Sequence, residues 1–238
     1  MPPTTPPKPD PLSRRAERTR RKLVAAARSV FEARGVLEAR IVDIANEAGV
    51  AVGSFYTYFD SKEELLREVA GALFHELIPP LPPDVGADPR ARIEAGNRAY
   101  VHAYQKNARI LALVQHQTLS DPTLRAMYEE ARATFIARVE RSIRRLQRAG
   151  LTPNDVSAAL SANILAGMVH EFCYFAFGLD QPKVRRPRRQ AFHEEEAIVA
   201  LTTLWIRALE LGAAPKAPRR VPSARGARNP KTTPRSRS

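Results

Sequence analysis

The chain has 238 residues, room for one large domain or two small ones with a real hydrophobic core, and carries a net charge of +13 with only 7% aromatic residues. One cysteine, Cys173, excludes an intrachain disulfide framework and fits a reducing cytoplasm. The Pro-rich start lacks the apolar stretch of a secretory signal. The longest mostly apolar segment, Asn163 to Leu179, contains His170 and Glu171 and is short for a bilayer span, so a soluble, cytoplasmic protein without a membrane partner is expected.

Taken in order, residues 1–12 are Pro-rich and too poor in apolar side chains to order themselves, and read as a tail. Leu23, Ala26, Ala27, Val30 and Phe31 then follow the spacing of one helix face, which Gly35 ends. A short apolar helix is expected over Ile41 to Ala48 and a second over Val52 to Phe59, with Gly49 at the joint. Ser61-Lys-Glu-Glu64 reads as a capping box opening a helix over 61–78. Pro79-Pro80-Leu81-Pro82-Pro83 breaks the chain. Asp88-Pro89, Asp121-Pro122 and Thr152-Pro153 each set a capping side chain before a proline, predicting helix starts near 89, 122 and 153. A second break, Gln181 to Arg189, precedes a last helix at about 191–212. Residues 213–238 are a basic, low-complexity tail. No segment alternates as a strand does, and the fold class is all-α.

Charge divides along these boundaries. Residues 1–22 are net +5, residues 213–238 net +8, and residues 23–212 are neutral. A neutral body with basic ends suggests a polyanionic partner.

Two short helices joined at Ala48-Gly49-Val50 have the spacing of a helix-turn-helix. Ile44 and Ala45 face inward on the first, and Phe55 and Phe59 bury one face of the second. Val52, Ser54, Thr57 and Tyr58 are left on the opposite face, small or polar enough to meet base edges in a major groove. The run from Asp43 to Leu66, DIANEAGVAVGSFYTYFDSKEELL, resembles the TetR-family signature over about twenty-four consecutive residues. The resemblance covers roughly residues 15–75; the rest of the chain is similar to the family only in length and helicity.

The resemblance implies a DNA-binding domain over 13–78, with its helix-turn-helix at about 40–59. A helical effector-binding and dimerisation domain would follow over 79–212. By position, Tyr56 and Lys62 would contact phosphates and orient the reader without choosing sequence. Ala51, Val52, Gly53, Ser54, Thr57 and Tyr58 would lie at or near the bases. Arg18, Arg20, Arg21, Lys22 and Arg40 are placed to add phosphate contacts. Ala39 and Ala51 stand where the family commonly has hydroxyl residues that cap the two helices; a lost cap costs about 1 kcal/mol.

The family also implies a small-molecule effector and a homodimer on double-stranded DNA, with no metal or other cofactor. Tyr100, Tyr104, Gln115, His116, Met168, Glu171, Phe172 and Phe175 are the candidates for lining a largely apolar effector pocket. Their plainer reading is core packing, and His116, His170 and Cys173 read more simply as ordinary helix residues. Ala162, Ala166, Leu201, Leu204, Trp205 and Ala208 are the candidates for pairing two chains, because helices apolar on more than one face bury against something beyond their own domain. No H-E-x-x-H, G-x-S-x-G, phosphate loop or cysteine-pair zinc pattern argues for an enzyme. A non-specific architectural protein binding through its tails is the other alternative, but a neutral body carrying a full reader would then be superfluous. The reading is a ligand-responsive repressor that binds a pseudo-palindromic operator as a dimer.

Overall fold

A computed structural model describes residues 11–78, 88–178 and 193–212. The two tails and the Pro79–Pro83 and Gln181–Arg189 breaks lie outside the described residues, apart from Pro11 and Leu12. Those two open the first helix instead of closing a tail. All regular structure among the described residues is helical: α1 (Pro11–Arg34), α2 (Ile41–Ala48), α3 (Val52–Phe55), α4 (Lys62–Leu77), α5 (Pro89–Gln117), α6 (Pro122–Arg148), α7 (Ala158–Cys173) and α8 (Glu194–Ala208). A π-helical turn, Tyr174–Gly178, continues α7.

The helix boundaries follow local chemistry in most places. Gly35 ends α1 with φ +81°. Asp88 accepts from the amides of Arg90 and Ala91 at the start of α5, and Asp121 from that of Leu124 at the start of α6, each with a proline next in line. Ser61 Oγ accepts from the Glu64 amide at 3.1 Å. Glu64 reaches back one residue further than a reciprocal box requires, accepting from the Asp60 amide at 2.7 Å.

Three expectations need correction. The reader helix has α-helical form only over Val52–Phe55; beyond it, the Thr57 and Tyr58 amides bond carbonyls three residues back, at 3.3 and 2.9 Å. A four-residue helix with no capping side chain tightens in this way. No helix starts at Thr152-Pro153. The Thr152 hydroxyl is buried and donates to the Leu209 carbonyl, so it cannot cap, and α7 begins only at Ala158. The last helix is shorter than expected at its C-terminal end, closing at Ala208 before Glu210 (φ +49°) and Gly212 (φ +86°).

α1 to α4 enclose one part of the core, with Leu23, Ala27, Phe31, Ile44, Phe55 and Phe59 fully or almost fully buried. In the body α6 packs on α7 and α5 on α8, while α4 reaches both α5 and α6. Polar contacts tie the two parts together. Arg28 of α1 donates to Asn107 of α5, Arg109 to the Ala33 carbonyl at 3.3 Å, and Arg67 of α4 to Asp121 at 2.9 Å.

The stretch Ala158–Gly178 is 21 residues of helix, long and apolar enough by length and composition to cross a membrane. One of its faces is packed in this core, with Ala162, Leu165, Ala166, Val169 and Cys173 buried. Helices of soluble proteins meet the same criterion.

Candidate nucleic-acid interface and ligand cavity

The turn between α2 and α3 is built by Gly49 in the left-handed conformation (φ +66°, ψ +40°). Its amide bonds the Asn46 carbonyl at 3.1 Å and the Val50 amide bonds that of Ala45 at 3.0 Å. This paired closure satisfies two orphan carbonyls of α2. Behind it, Phe55 and Phe59 sit 5.9 Å apart in the core and Phe55 meets Tyr56 edge-on at 5.3 Å. Burial of the phenylalanines turns the other side of α3 outward.

That outward face is made of Arg40, Ala51, Val52, Gly53, Tyr56 and Thr57, all exposed, with Ser54 half-buried. Tyr56 is 57% exposed. A Cβ added at Gly53 would meet nothing within 4 Å, so the glycine leaves open space outside the chain, not a gap inside it. Tyr58 is half-buried and packs on the core, which turns it away from the position expected for it. Neither α2 nor α3 has a capping side chain: the cap positions are Arg40 and Ala51. Ala39 is buried at 2% exposure and is not a cap.

Two expected phosphate ligands are already engaged. Lys62 Nζ donates to the carbonyls of Val36, Leu37 and Ala39 at 3.0, 3.0 and 3.2 Å, closing the loop between α1 and α2. Arg20 pairs through both guanidinium nitrogens with Glu68 of α4, at 2.5 and 2.8 Å, and lies 5.3 Å above the Phe59 ring. The Glu68 bond raises the Arg20 pKa further. Both side chains fix the reader to its scaffold. Arg18 and Lys22 stay exposed on the same helix, as does Arg21, which pairs with Glu17 at 3.1 Å.

In the body, a cavity of about 540 Å³ lies between the C-terminal end of α4 and helices α5, α6, α7 and α8. Its walls are mostly apolar, with Leu77, Ile78, Ile93, Phe135, Val139, Ile143, Trp205 and Leu209 among them. Of the eight effector candidates only Tyr100 lines it. Tyr104 is buried beside His170, ring centroids 5.8 Å apart, and its hydroxyl is buried without a hydrogen-bond partner. Burial holds its pKa far above the ordinary tyrosine value. Gln115 and Glu171 border a separate polar cleft, and His116 and Phe175 are exposed. Met168 and Phe172 pack on the core.

Sequence reasoning passed over His170. It stands at the centre of a polar relay: Tyr100 Oη lies 2.8 Å from Nδ1 and Tyr128 Oη 3.0 Å from Nε2. Burial lowers its pKa, with Arg132 acting in the same direction and Glu171 against it. No sequence spacing signals this site, because its members come from α5, α6 and α7. Cys173 is buried and its thiol is pushed up to about 12, so it is protonated and unreactive at neutral pH.

The pairing candidates divide. Ala162, Ala166, Leu201 and Trp205 are buried in their own chain, leaving Leu204 and Ala208 exposed. The large apolar groups that stay uncovered on these helices are Leu160 and Ile164 on α7 and Val199 and Leu204 on α8, each 49–59% exposed. Four exposed apolar groups on two helices exceed the scattered single residues of an ordinary surface.

A short helix-turn-helix joined by one helix to an all-helical body with a cavity defines a regulator-type DNA-binding protein. Residues 23–69 match the sequence profile of the bacterial regulatory proteins of the TetR family, and the chain belongs to that family. It is 40% identical over 73 residues to the transcriptional regulator SrpR of Pseudomonas putida, a match covering 31% of this chain and 34% of the relative. It is 37% identical over 93 residues to the transcriptional repressor KstR2 of Rhodococcus jostii, covering 38% and 45%. These matches thus span less than half the length of either relative. The fold continues further: the Bacillus subtilis regulator FadR, solved in complex with stearoyl-CoA, superposes with a TM-score of 0.60 over 79% of this chain and 96% of that one, at 20% identity.

Proposed function

We propose that the chain is a transcriptional regulator that binds a pseudo-palindromic operator as a homodimer and is released by a small, largely apolar effector. The observation that carries the DNA-binding part is the exposed face of Arg40, Val52, Gly53, Ser54, Tyr56 and Thr57. It is held rigid from behind by Phe55, Phe59 and the Lys62 clamp. Small side chains and an uncovered glycine permit close approach to base edges, and Tyr56 and Arg40 reach for the backbone. The exposed apolar groups of α7 and α8 support pairing through those helices, and a two-fold pair sets its readers about one DNA turn apart.

Release works through α4. Its first residue, Lys62, clamps the α1–α2 loop, and Leu77 at its far end lines the cavity. An effector that binds one position of α4 more tightly than the other shifts the reader spacing by that difference in affinity alone. The reading is tested by recovering genomic DNA fragments bound by the purified chain. The expected result is enrichment of two-fold-symmetric sites, lost with Val52→Glu while the fold by circular dichroism is kept. Recovery of DNA without sequence preference would refute it.

A further inference from the structure

The cavity is apolar in its depth but not at its edge. Arg92, Arg138 and Arg145 line it, and no carboxylate does so among the described residues. Arg92 and Arg145 are exposed and therefore stand at the mouth, whereas Arg138 is half-buried on the wall. Arg138 donates to the Ile78 carbonyl at 3.5 Å, and burial with the neighbouring Arg141 charge lowers its pKa. Three cations with no lining acid create a positive potential at a partly dry site, where an anion is held more strongly than in water.

Ser142 and Asn97 add neutral polar groups on the same lining. Trp205, also on it, is 8% exposed and its indole N–H is buried without an acceptor. A buried donor left unmade costs free energy that a ligand oxygen recovers. Further in, Tyr100 and Phe135 separate the cavity from a void of about 40 Å³ that borders Phe74 of α4 and His170.

We infer that this cavity takes an anionic amphiphile, its apolar tail between α5 and α6 and its carboxylate or phosphate head on Arg92, Arg138 and Arg145. The inference rests on the proposal that the cavity is the effector site and adds the chemical class of the effector. At about 540 Å³ the space lies within the range of small-molecule pockets, about 300–1,000 Å³. The tail end would press toward Phe74 and so bear on α4. The shared chemistry is an alkyl chain with a fixed negative head; a free fatty acid and an acyl thioester of a phosphorylated carrier both offer it.

The test is calorimetry of the full-length chain with dodecanoate, dodecanoyl-coenzyme A and, as neutral control, dodecanol. Each is repeated with Arg138→Gln, Arg92→Gln and the cavity-filling Gly96→Phe. Either anion should bind more tightly than dodecanol, and each arginine variant should weaken it about tenfold to a hundredfold, the loss of one charge-assisted bond. Dodecanol binding should be unchanged in those variants. Preference for dodecanoate identifies a carboxylate head and preference for the coenzyme A ester a phosphorylated one; either supports the inference. If all three bind equally and the arginine variants change nothing while Gly96→Phe abolishes binding, the cavity is an effector site for neutral ligands and the anionic class is overturned. If none binds, or Gly96→Phe leaves binding intact, the cavity reading falls too.

Discussion

Replacing Lys62 by methionine separates two roles that a lysine at this position can have. Its ammonium spans three carbonyls at 3.0–3.2 Å. A hydrogen bond to a charged group contributes about 1.5–3 kcal/mol. The three share one donor group, and the Leu37 carbonyl is exposed and regains water, so the total falls well below three times that figure. The Val36 and Ala39 bonds are partly buried and lose most. A cost of about 2–3 kcal/mol follows, or roughly 4–12 °C in Tm for a chain of this size. Thermal unfolding of the free protein, without DNA, measures it. Operator affinity should fall too, but with a salt dependence close to wild type, because no counterion-releasing contact is removed. If Lys62→Met leaves the Tm within about 1 °C and instead lowers the slope of log K against log salt by about one, the lysine is a phosphate ligand and the clamp reasoning is wrong.

Ala51→Ser should stabilise the start of α3 by about 1 kcal/mol, since Ala51 has the extended backbone of a cap (φ −66°, ψ 146°) and no capping group; urea unfolding without a shift in midpoint would refute it. Leu160→Lys with Ile164→Lys should leave the secondary structure intact and convert a dimer to a monomer in sedimentation at micromolar concentration. Persistence of the dimer would move the interface elsewhere. Burial holds the His170 pKa below its ordinary 6.5, so the unfolded chain binds a proton that the folded one resists. The stability this provides is complete above pH 6.5 and is lost as the pH falls below it; His170→Gln should flatten that part of the Tm–pH profile, and an unchanged profile would place the acid sensitivity elsewhere.

How much of this was legible beforehand depends on the range of the physics involved. The helix-turn-helix was written locally: Gly49 needs its positive φ, the inward positions of α2 and α3 recur at helical spacing, and Asp88-Pro89 and Asp121-Pro122 carry their own start signals. Thr152-Pro153 carried the same signal and failed, because the Leu209 carbonyl, 57 residues away, took the hydroxyl. A capping side chain binds locally only when no buried acceptor competes for it. Lys62 and Arg20 likewise look free along the chain and are engaged in space, by carbonyls of the α1–α2 loop and by Glu68 across α1 and α4.

The cavity and the relay on His170 lay beyond sequence for a related reason. Helical periodicity says that a residue is buried, but not whether it meets a neighbour or a void. Tyr100 faces the cavity and Tyr104, one turn on, does not. Small residues on α7 drew the pairing prediction to Ala162 and Ala166, but small residues pack closely inside a chain as readily as between chains. It is the large groups left uncovered, Leu160 and Ile164, that mark the outer face. The sequence by itself determined the helices, the turn and the family, each set by contacts within a few residues. Tertiary structure alone decided which cations stay free to meet DNA and which side chains line the cavity, since only the packing of distant helices sets which partners each group finds.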